Sequence, residues 1–172
     1  MTIPFPILPL DYHRSRSIGR FTPSRKFLAF TTTAASKKID PAQLAAVFDQ
    51  LLPVAPETLT AGSGEWRGIA LNTGHKFMEQ LESLHWRGAV FRSTEDVEPV
   101  AIDKADGEKA TTDFGGACLR RMEYKNLIST AMIFDDLPAI TYFRAVNDRM
   151  IAGVMESKDF GSEGAFYFYL VR

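Results

Sequence analysis

The chain has 172 residues, of which 45% are hydrophobic and 24% charged, and its net charge is −1. This length and composition favour one globular domain with a substantial core and exclude an intrinsically disordered chain. No apolar run approaches the roughly 18 residues of a transmembrane helix, so no transmembrane segment is predicted. The single cysteine, Cys118, excludes an internal disulfide and is consistent with a reducing compartment, so a cytoplasmic location is expected.

Charge is unevenly distributed along the chain. Residues 1–39 carry seven basic residues and one acidic residue, which gives +6. The remainder carries 13 basic and 20 acidic residues, which gives −7. This acidic body argues against nucleic acid as the main partner.

Residues 1–38 have the composition of an N-terminal extension. Three prolines interrupt the apolar run from Met1 to Leu10, and scattered Arg, Ser and Thr residues follow it. Two interpretations are open: a disordered or loosely docked tail, or a mitochondrial or plastid transit peptide, which has such an Arg- and Ser-rich, acid-poor composition. Residues 39–172 are then predicted to form a single domain.

The stretch from Gly64 to Gly68 places Trp66 between two glycines and leads into an apolar run. This pattern predicts a first β-strand whose backbone is closely approached at both ends, because glycine permits contacts that a Cβ would block. The indole offers a large apolar surface and one N–H donor. Trp86-Arg87-Gly88 begins a second strand with the same pattern.

Two amphipathic helices are predicted. The first begins at Asp40-Pro41, an N-cap followed by proline at the first helical position, and ends before Pro53 and Pro56. The second follows Asn72-Thr73-Gly74 and ends near His85. Their apolar faces are formed by Leu44, Val47, Phe48, Leu51 and Leu52 in the first helix and by Phe77, Met78, Leu81 and Leu84 in the second.

Strand patterns dominate the rest of the chain. The polar, charged segment from Asp103 to Asp113 is predicted to be an exposed loop, and tight hairpins are predicted at Tyr124-Lys125-Asn126 and Asn147-Asp148, with a looser turn over Asp159–Gly164. The predicted strands are Trp86–Ser93, Glu98–Ile102, Ala117–Tyr124, Leu127–Phe134, Ile140–Val146, Met150–Glu156 and Ala165–Arg172.

About eight strands with short connections and one or two packing helices indicate a mainly β fold, a small antiparallel, lipocalin-like β-barrel. Closure removes exposed strand edges, and an eight-stranded barrel has just enough room for a small ligand. The last strand is apolar on both faces, so one face is expected to line the barrel while the other contacts a helix or a second subunit. A homodimer is therefore open.

Several of these motifs resemble the GXWXG domain family. The matching stretches are Gly64–Gly68, Thr73-Gly74-His75 and Trp86-Arg87-Gly88. The later part resembles the domain of unknown function that usually follows it, through Ala131–Asp135 with Pro138 and Phe143, Gly153-Val154-Met155, and Phe166–Leu170 with Arg172. The resemblance covers about residues 40–172, with a GXWXG part over about 55–115 and a C-terminal part over 116–172.

The resemblance implies a small β-barrel and, by analogy, binding of a hydrophobic ligand. One position departs from the pattern. Family members tend to carry an acid shortly before the Phe at position 143, whereas this chain has Thr141, which puts any role of that acid in doubt.

Two residues are candidates for acid–base catalysis. His75, at the start of the second helix, is either a donor or base facing a ligand, or a side chain bonded to the local backbone. Asp135 and its neighbour Asp136 are either an acid–base pair or turn formers, since adjacent side chains of an extended chain point apart. No metal-ligand spacing and no nucleotide-binding fingerprint is present in the sequence, so neither a metal nor a cofactor is predicted.

The candidate ligand-binding residues combine large apolar walls with polar anchors. Arg120 shares its strand face with Cys118, and it would hold a ligand carboxylate or carbonyl only if that face lined the barrel. The aromatic and methionine residues would either line a cavity or fill a dry core. The candidates are Trp66, His75, Trp86, Phe91, Arg120, Met132 and Met155.

Three functions are consistent with these patterns. The first is a barrel that binds a lipid or other small hydrophobic molecule. The second is a cofactor-free isomerase, cyclase or hydrolase that acts on a hydrophobic substrate through His75 or Asp135. The third is a structural or dimerising protein whose barrel is filled by its own side chains.

Overall fold

A computed structural model describes residues 22–33, 36–103, 109–110 and 114–172 of the chain. An eight-stranded antiparallel β-barrel is its central feature, as the sequence predicted. Strands β1 to β3 and β5 to β9 close the barrel in the order β2-β1-β9-β8-β7-β6-β5-β3, and β3 returns to pair with β2. The strands are β1 Glu65–Ala70, β2 Trp86–Phe91, β3 Val97–Asp103, β4 Lys109–Ala110, β5 Ala117–Tyr124, β6 Leu127–Phe134, β7 Ala139–Asn147, β8 Met150–Ser157 and β9 Phe166–Val171.

Glycines allow the first two strands to pack closely, as the Gly64–Gly68 pattern predicted. A Cβ at Gly64 would overlap the carbonyl oxygen of Phe91, and one at Gly88 would overlap the carbonyl oxygen of Trp66. Gly88 also has φ of +148°, which few other residues adopt. The ring of Trp86 lies directly over Gly68, so the second tryptophan covers the strand that carries the first.

Two helices, α1 Pro23–Thr31 and α2 Pro41–Phe48, cover part of the outer barrel wall. They form an outer cluster with apolar residues from the outward faces of β7, β8 and β9. The second face of β9 thus contacts a helix, one of the two partners that the sequence left open. The buried members of the outer cluster are Phe27, Ile39, Leu44, Phe48, Leu51, Leu71, Val146, Ala152, Val154 and Tyr167.

The predicted first helix is confirmed in α2, but it ends at Phe48, and Leu52, which was expected on its apolar face, lies beyond it and is 70% exposed. The Asp40 side chain accepts a hydrogen bond from the Ala42 N–H at 2.9 Å, and Pro41 occupies the first helical position. The sequence analysis missed two other helices, α1 and the five-residue α3 Pro56–Thr60. Pro23 and Pro56 each stand at the first position of a helix, where the missing N–H has no intrahelical partner, and Pro56 was wrongly interpreted only as a stop signal.

Short helices lie at the two ends of the barrel. At one end are α4 Phe77–Ser83, the predicted second helix, and a 3₁₀ helix, Lys158–Glu163, at the predicted looser turn. At the other end is α3, and the adjoining residues 52–54 hydrogen bond to β6 and β7. We call these the α4 end and the α3 end.

The predicted loop over Asp103–Asp113 is wrong in part. Lys109 and Ala110 form β4, which pairs with Asp103 and Ile102 of β3. The short polar strand has no apolar alternation by which a pattern could reveal it. Residues 104–108 and 111–113 lie outside the described residues.

The prediction of an extension over 1–38 stays a prediction. Its residues 1–21, 34 and 35 lie outside the described part of the chain. The segment 22–33 contains α1, whose Phe27 is fully buried in the outer cluster. None of the described helices is long and apolar enough to cross a membrane.

Candidate ligand site inside the barrel

A row of inward-facing side chains crosses four adjacent strands of the barrel. Strand register pairs Met132 of β6 with Thr141 of β7, Thr141 with Met155 of β8, and Met155 with Phe166 of β9. All four residues are at most 4% exposed. The sequence candidates Met132 and Met155 therefore lie on the inner wall, on either side of a threonine.

A small cavity of about 20 Å³ borders this row. It is enough space for one water molecule. Apart from Thr141, every described residue that lines the cavity is apolar or aromatic. The indole N–H of Trp86 donates to the carbonyl oxygen of Gly88 at 2.8 Å. The lining residues are Phe77, Leu81, Trp86, Pro99, Val100, Met132, Phe134, Thr141, Met155, Phe166 and Phe168.

Thr141 carries a polar atom without a partner. Thr141 is completely buried, and its Oγ1 makes no hydrogen bond to any described residue. Buried hydroxyl groups are normally paired, because leaving one unpaired forfeits the hydrogen bonds that it would make in water. A hydroxyl on a cavity wall is thus available to a molecule that enters the cavity.

A larger pocket of about 560 Å³ lies at the α4 end. It opens between α4, the 3₁₀ helix and the turns that carry Phe114 and Leu137. Phe77 and Met155 line both this mouth pocket and the inner cavity. These two side chains are therefore the partition between the mouth pocket and the barrel interior.

Helix α4 is the element that covers the inner cavity. Phe77 and Leu81, one turn apart, both border the cavity, and Leu81 is only 3% exposed. On its other side, Leu81 and Trp86 border a groove of about 520 Å³ between α4, β1 and the end of α1. The helix has only seven residues, so beyond the polar contacts of His75 and Lys76 at its start its position depends on these few apolar contacts.

Trp66 lies at the opposite end of the barrel from the mouth pocket. Its Nε1–H donates to the carbonyl oxygen of Leu59 in α3 at 2.9 Å. The guanidinium of Arg172 lies over its ring, with 4.4 Å between Cζ and the ring centroid, and donates to the carbonyl oxygens of Thr58 and Ala61. Trp66 therefore anchors α3 to the barrel.

The other two aromatic candidates also face inward. Trp86 borders the cavity and packs edge-to-face against Phe168, with 5.7 Å between ring centroids. Phe91 is fully buried and packs edge-to-face against Phe143 at 5.9 Å, without bordering the cavity.

His75 is held by the backbone on both sides of its ring. The Phe77 N–H donates to Nδ1 at 3.1 Å, so the proton lies on Nε2, which donates to the Gly164 carbonyl oxygen at 3.3 Å. The ring also packs edge-to-face against Phe160, with 4.5 Å between centroids. His75 lines the mouth pocket, but its two ring nitrogens tie the start of α4 to the segment before β9.

Arg120 and Asp135 lie away from the cavity. Leu119 of β5 faces the barrel interior, so the neighbouring Arg120 points outward, where it forms two hydrogen bonds of 2.8 and 2.9 Å to Glu95. The pKa of Arg120 is raised, chiefly by these hydrogen bonds. Asp135 is exposed in the turn after β6. The structure therefore corrects one sequence-based candidate: Arg120 lies on the outer face and is not an anchor inside the barrel.

The sequence analysis missed Thr141 and Phe77 as site residues. Phe77 was assigned to the inner face of a helix, which is where it lies, but its proximity to Met155 arises from the fold. Thr141 did have a signal, because it stands where the resembling family tends to carry an acid. Both the family position and the orphaned hydroxyl point to the same place on the inner wall.

The comparisons with known proteins agree with this architecture. A family model described as GXWXG protein matches residues 46–107, and one described as a domain of unknown function, DUF4334, matches residues 115–172. The chain is a GXWXG protein with a following DUF4334 domain. The family and the domain order inferred from Gly64–Gly68 and the later motifs are thus confirmed.

A solved structure has the same barrel as this GXWXG protein. It is described as the crystal structure of a protein from Thermomonospora curvata. The two chains are 29% identical and superpose with a TM-score of 0.77 over 87% of this chain and 97% of the other. The comparison with curated proteins gives no match.

Proposed function

We propose that this barrel binds a small hydrophobic molecule, a lipid or another compound of similar character, through the mouth pocket at the α4 end. The observation that carries the proposal is the partition formed by Phe77 and Met155. One pair of side chains separates a pocket of about 560 Å³ from an apolar cavity that already exists behind it. A ligand whose end displaces this partition joins the two spaces into one site.

The residues of the partition suit this displacement. Met155 is unbranched and has three rotatable side-chain bonds, so it adapts to a guest at little cost. Phe77 belongs to the short helix α4, and its side chain would turn aside while the hydrogen bond from its N–H to His75 holds the start of the helix. Each apolar group that enters the site gains about 25 cal/mol for every Å² removed from water, which offsets the cost of moving the partition.

A filled barrel is the second candidate, because the cavity of about 20 Å³ shows that side chains occupy most of the interior. No observation at His75 or Asp135 favours the enzyme hypothesis: the ring nitrogens of His75 hydrogen bond to backbone atoms, and Asp135 lies in an exposed turn. A homodimer stays a prediction. The outward-facing Tyr167 of β9 is already covered by Phe48 of α2.

Native mass spectrometry of the full-length protein, followed by solvent extraction, tests the proposal directly. We expect an apolar molecule at about one per chain. If the purified protein carries no ligand, titration with neutral and acidic lipids, monitored by tryptophan fluorescence, tests whether the empty barrel binds them. A bare mass together with unchanged fluorescence across the panel would establish the filled barrel instead.

The two tryptophans provide a matched pair that locates the ligand. Trp86 borders the cavity, whereas Trp66 lies at the α3 end. We expect Trp66→Phe to retain the fluorescence response to ligand, through Trp86, and Trp86→Phe to lose it. The opposite pattern would place the ligand at the α3 end and contradict entry under α4.

A further inference from the structure

We propose that the ligand is uncharged and carries a single oxygen-bearing group, a carbonyl or hydroxyl, at the end that enters the barrel first, where it hydrogen bonds to Thr141 Oγ1. This inference rests on the proposed function and specifies the chemistry of its ligand. The structure supplies three arguments: the unpaired hydroxyl, the lack of hydrogen-bond partners for a water molecule in the cavity, and the distribution of charge along the site.

The hydroxyl of Thr141 has no polar neighbour among the described residues of the adjoining strands. Met132 and Met155 flank it in register on β6 and β8, and their thioether sulfurs are weak acceptors that do not satisfy a hydroxyl. The group is completely buried and has no partner among the described residues. A ligand carbonyl would accept its O–H, and a ligand hydroxyl would donate to its lone pairs.

A single water molecule is a poor substitute for such a ligand. The cavity has room for one water, but a buried water typically makes about three hydrogen bonds. Among the described residues that line the cavity, Thr141 alone offers a free side-chain polar atom, since the indole N–H of Trp86 is bonded to Gly88. A ligand with a single carbonyl group needs only the one hydrogen bond that Thr141 supplies.

The charges along the route disfavour a carboxylate. None of the described residues that line the inner cavity is ionisable, so a carboxylate that entered there would lose its hydration without a counter-charge from them. The described residues of the mouth pocket include one cation, Lys76, and two carboxylates, Asp159 and Glu163. Lys76 is already paired with Glu163 at 3.0 Å, so a fatty acid would also find net negative charge at the mouth.

The route from mouth to hydroxyl is short. Met155 lines the mouth pocket, and its register partner on β7 is Thr141 itself. An entering chain that moves the Met155 side chain therefore meets the hydroxyl next. The apolar body of the ligand would remain between Phe77, Phe114 and Phe160 in the mouth pocket.

The test compares three probes with similar alkyl bodies: 2-undecanone, decanoate and undecane. Binding is measured by titration calorimetry and Trp86 fluorescence in the full chain and in two variants. Thr141→Val removes the hydroxyl at nearly constant shape, and Thr141→Ser keeps it. If valine disturbs the fold, Thr141→Ala compared with Thr141→Ser carries the same contrast.

We expect the ketone to bind the unmodified protein more tightly than decanoate. Thr141→Val should weaken ketone binding on the order of tenfold, the usual loss when one buried hydrogen bond is removed. Thr141→Ser should retain ketone binding, and undecane should bind both variants and the unmodified protein equally.

Each contrary result has a distinct meaning. Equal ketone affinity in the Val and Ser variants, or tighter binding of decanoate, would overturn the inference while the proposed binding function stood. An extracted ligand that carries a carboxylate or phosphate would do the same. Failure of all three probes, with no molecule extracted, would overturn both proposals and favour the filled barrel.

Discussion

The molecule contains two apolar regions that are built differently. The inner region fills the barrel with aromatic and aliphatic side chains and leaves a cavity with one unpaired hydroxyl, that of Thr141. The outer cluster under α1 and α2 is closed by polar contacts at its edge. There, the hydroxyl of Tyr124 donates to Glu156 at 2.9 Å, and the rings of Tyr124 and Tyr142 stack with 4.0 Å between centroids.

Arg144 shows how the outer cluster uses a polar group. Its side chain is 1% exposed and lies beside the Phe48 ring. Its Nη2 donates to the carbonyl oxygens of Tyr124 and Leu127 at 2.7 and 3.4 Å, across the hairpin between β5 and β6. Burial lowers the pKa of Arg144, while Asp49 and Tyr124 partly oppose that shift. The Nε and Nη1 of Arg144 are buried without a hydrogen-bond partner among the described residues, so the guanidinium fixes the turn through Nη2 alone.

The comparison indicates which of the two apolar regions can change its shape to accept a ligand. The outer cluster is held by an N-capped helix, a buried arginine and stacked tyrosines, so its geometry is set by directional contacts. Around its cavity, the inner region is held mainly by non-directional packing of Met132, Met155 and the apolar face of a short helix, and its hydrogen bonds lie at the tryptophans and at His75. A ligand site that must reshape itself is therefore expected inside the barrel, and the following predictions test that contrast.

The largest expected effect is on the outer cluster. Phe48 is 1% exposed and contacts both Tyr124 and Tyr167 edge-to-face. Phe48→Ala should lower the free energy of unfolding by roughly 3–5 kcal/mol, because the fixed surroundings cannot collapse into the cavity. Urea unfolding measures this loss. Ile128→Ala, at a side chain that is 60% exposed, is the control and should change stability by less than about 0.5 kcal/mol.

The second effect is a loss of stability in alkali. Burial, with the charges of Asp49 and Glu156, raises the pKa of Tyr167 to about 12 from its ordinary value of 10.0. The phenol deprotonates first in the unfolded chain, so its contribution is complete below pH 10 and is lost as the pH rises to about 12. The loss should reach roughly 2 kcal/mol in unfolding curves recorded across this range.

Tyr167→Phe is the matched variant for this pH effect. It removes the titrating group and keeps the ring against Phe48. The loss of stability in alkali should therefore become smaller by the part that the Tyr167 phenol contributes. Burial also raises the pKa of Tyr124, Tyr142 and Tyr169, so part of the decline should remain. An unchanged decline in Tyr167→Phe would show that the outer cluster admits water around this phenol.

Local patterns predicted much of the fold. The strands Ala117–Tyr124 and Leu127–Phe134 have the predicted bounds, because apolar alternation runs up to a tight turn whose Lys125 and Asn126 take φ of 52° and 61°. The family motifs gave the GXWXG and DUF4334 order. Helix α3 was missed because Pro56 was interpreted as a stop, and helix α1 because its segment was assigned by composition to an N-terminal extension.

The site was harder to predict than the fold. Alternation separates the two faces of a strand without showing which one is inside, so Arg120 was placed among the anchors although Leu119 occupies the inner face. Tertiary packing alone brings Phe77 to Met155. Thr141 was noticed through the family pattern, yet its unpaired hydroxyl depends on neighbours from β6 and β8.

The third effect concerns the helix that covers the outer cluster. Asp40→Ala removes the hydrogen bond to the Ala42 N–H and should lower the free energy of unfolding by about 1 kcal/mol. Asp40→Asn keeps a capping oxygen and should cost only a few tenths of a kcal/mol. Thermal melts of both variants measure the difference. Equal melting temperatures would show that tertiary packing alone holds α2 in place.

The smallest effect has the opposite sign and lies inside the barrel. Thr141→Val replaces an unpaired buried hydroxyl by a methyl group in an apolar wall, so the ligand-free protein should gain up to about 1 kcal/mol. Ser129 is a contrasting position: its buried hydroxyl bonds to the Val54 N–H at 2.9 Å and the Phe143 carbonyl at 2.7 Å. Ser129→Ala should therefore destabilise the fold by about 1–3 kcal/mol.

Melting of ligand-free Thr141→Val and Ser129→Ala measures the two signs in parallel. A gain at position 141 with a loss at 129 means that the barrel keeps one hydroxyl unpaired in the absence of ligand, as expected of a binding site that gives up some stability for recognition. A loss at both positions would mean that Thr141 has a partner in the free protein, such as a trapped water. The inner region would then resemble the outer cluster, with its polar groups serving the fold.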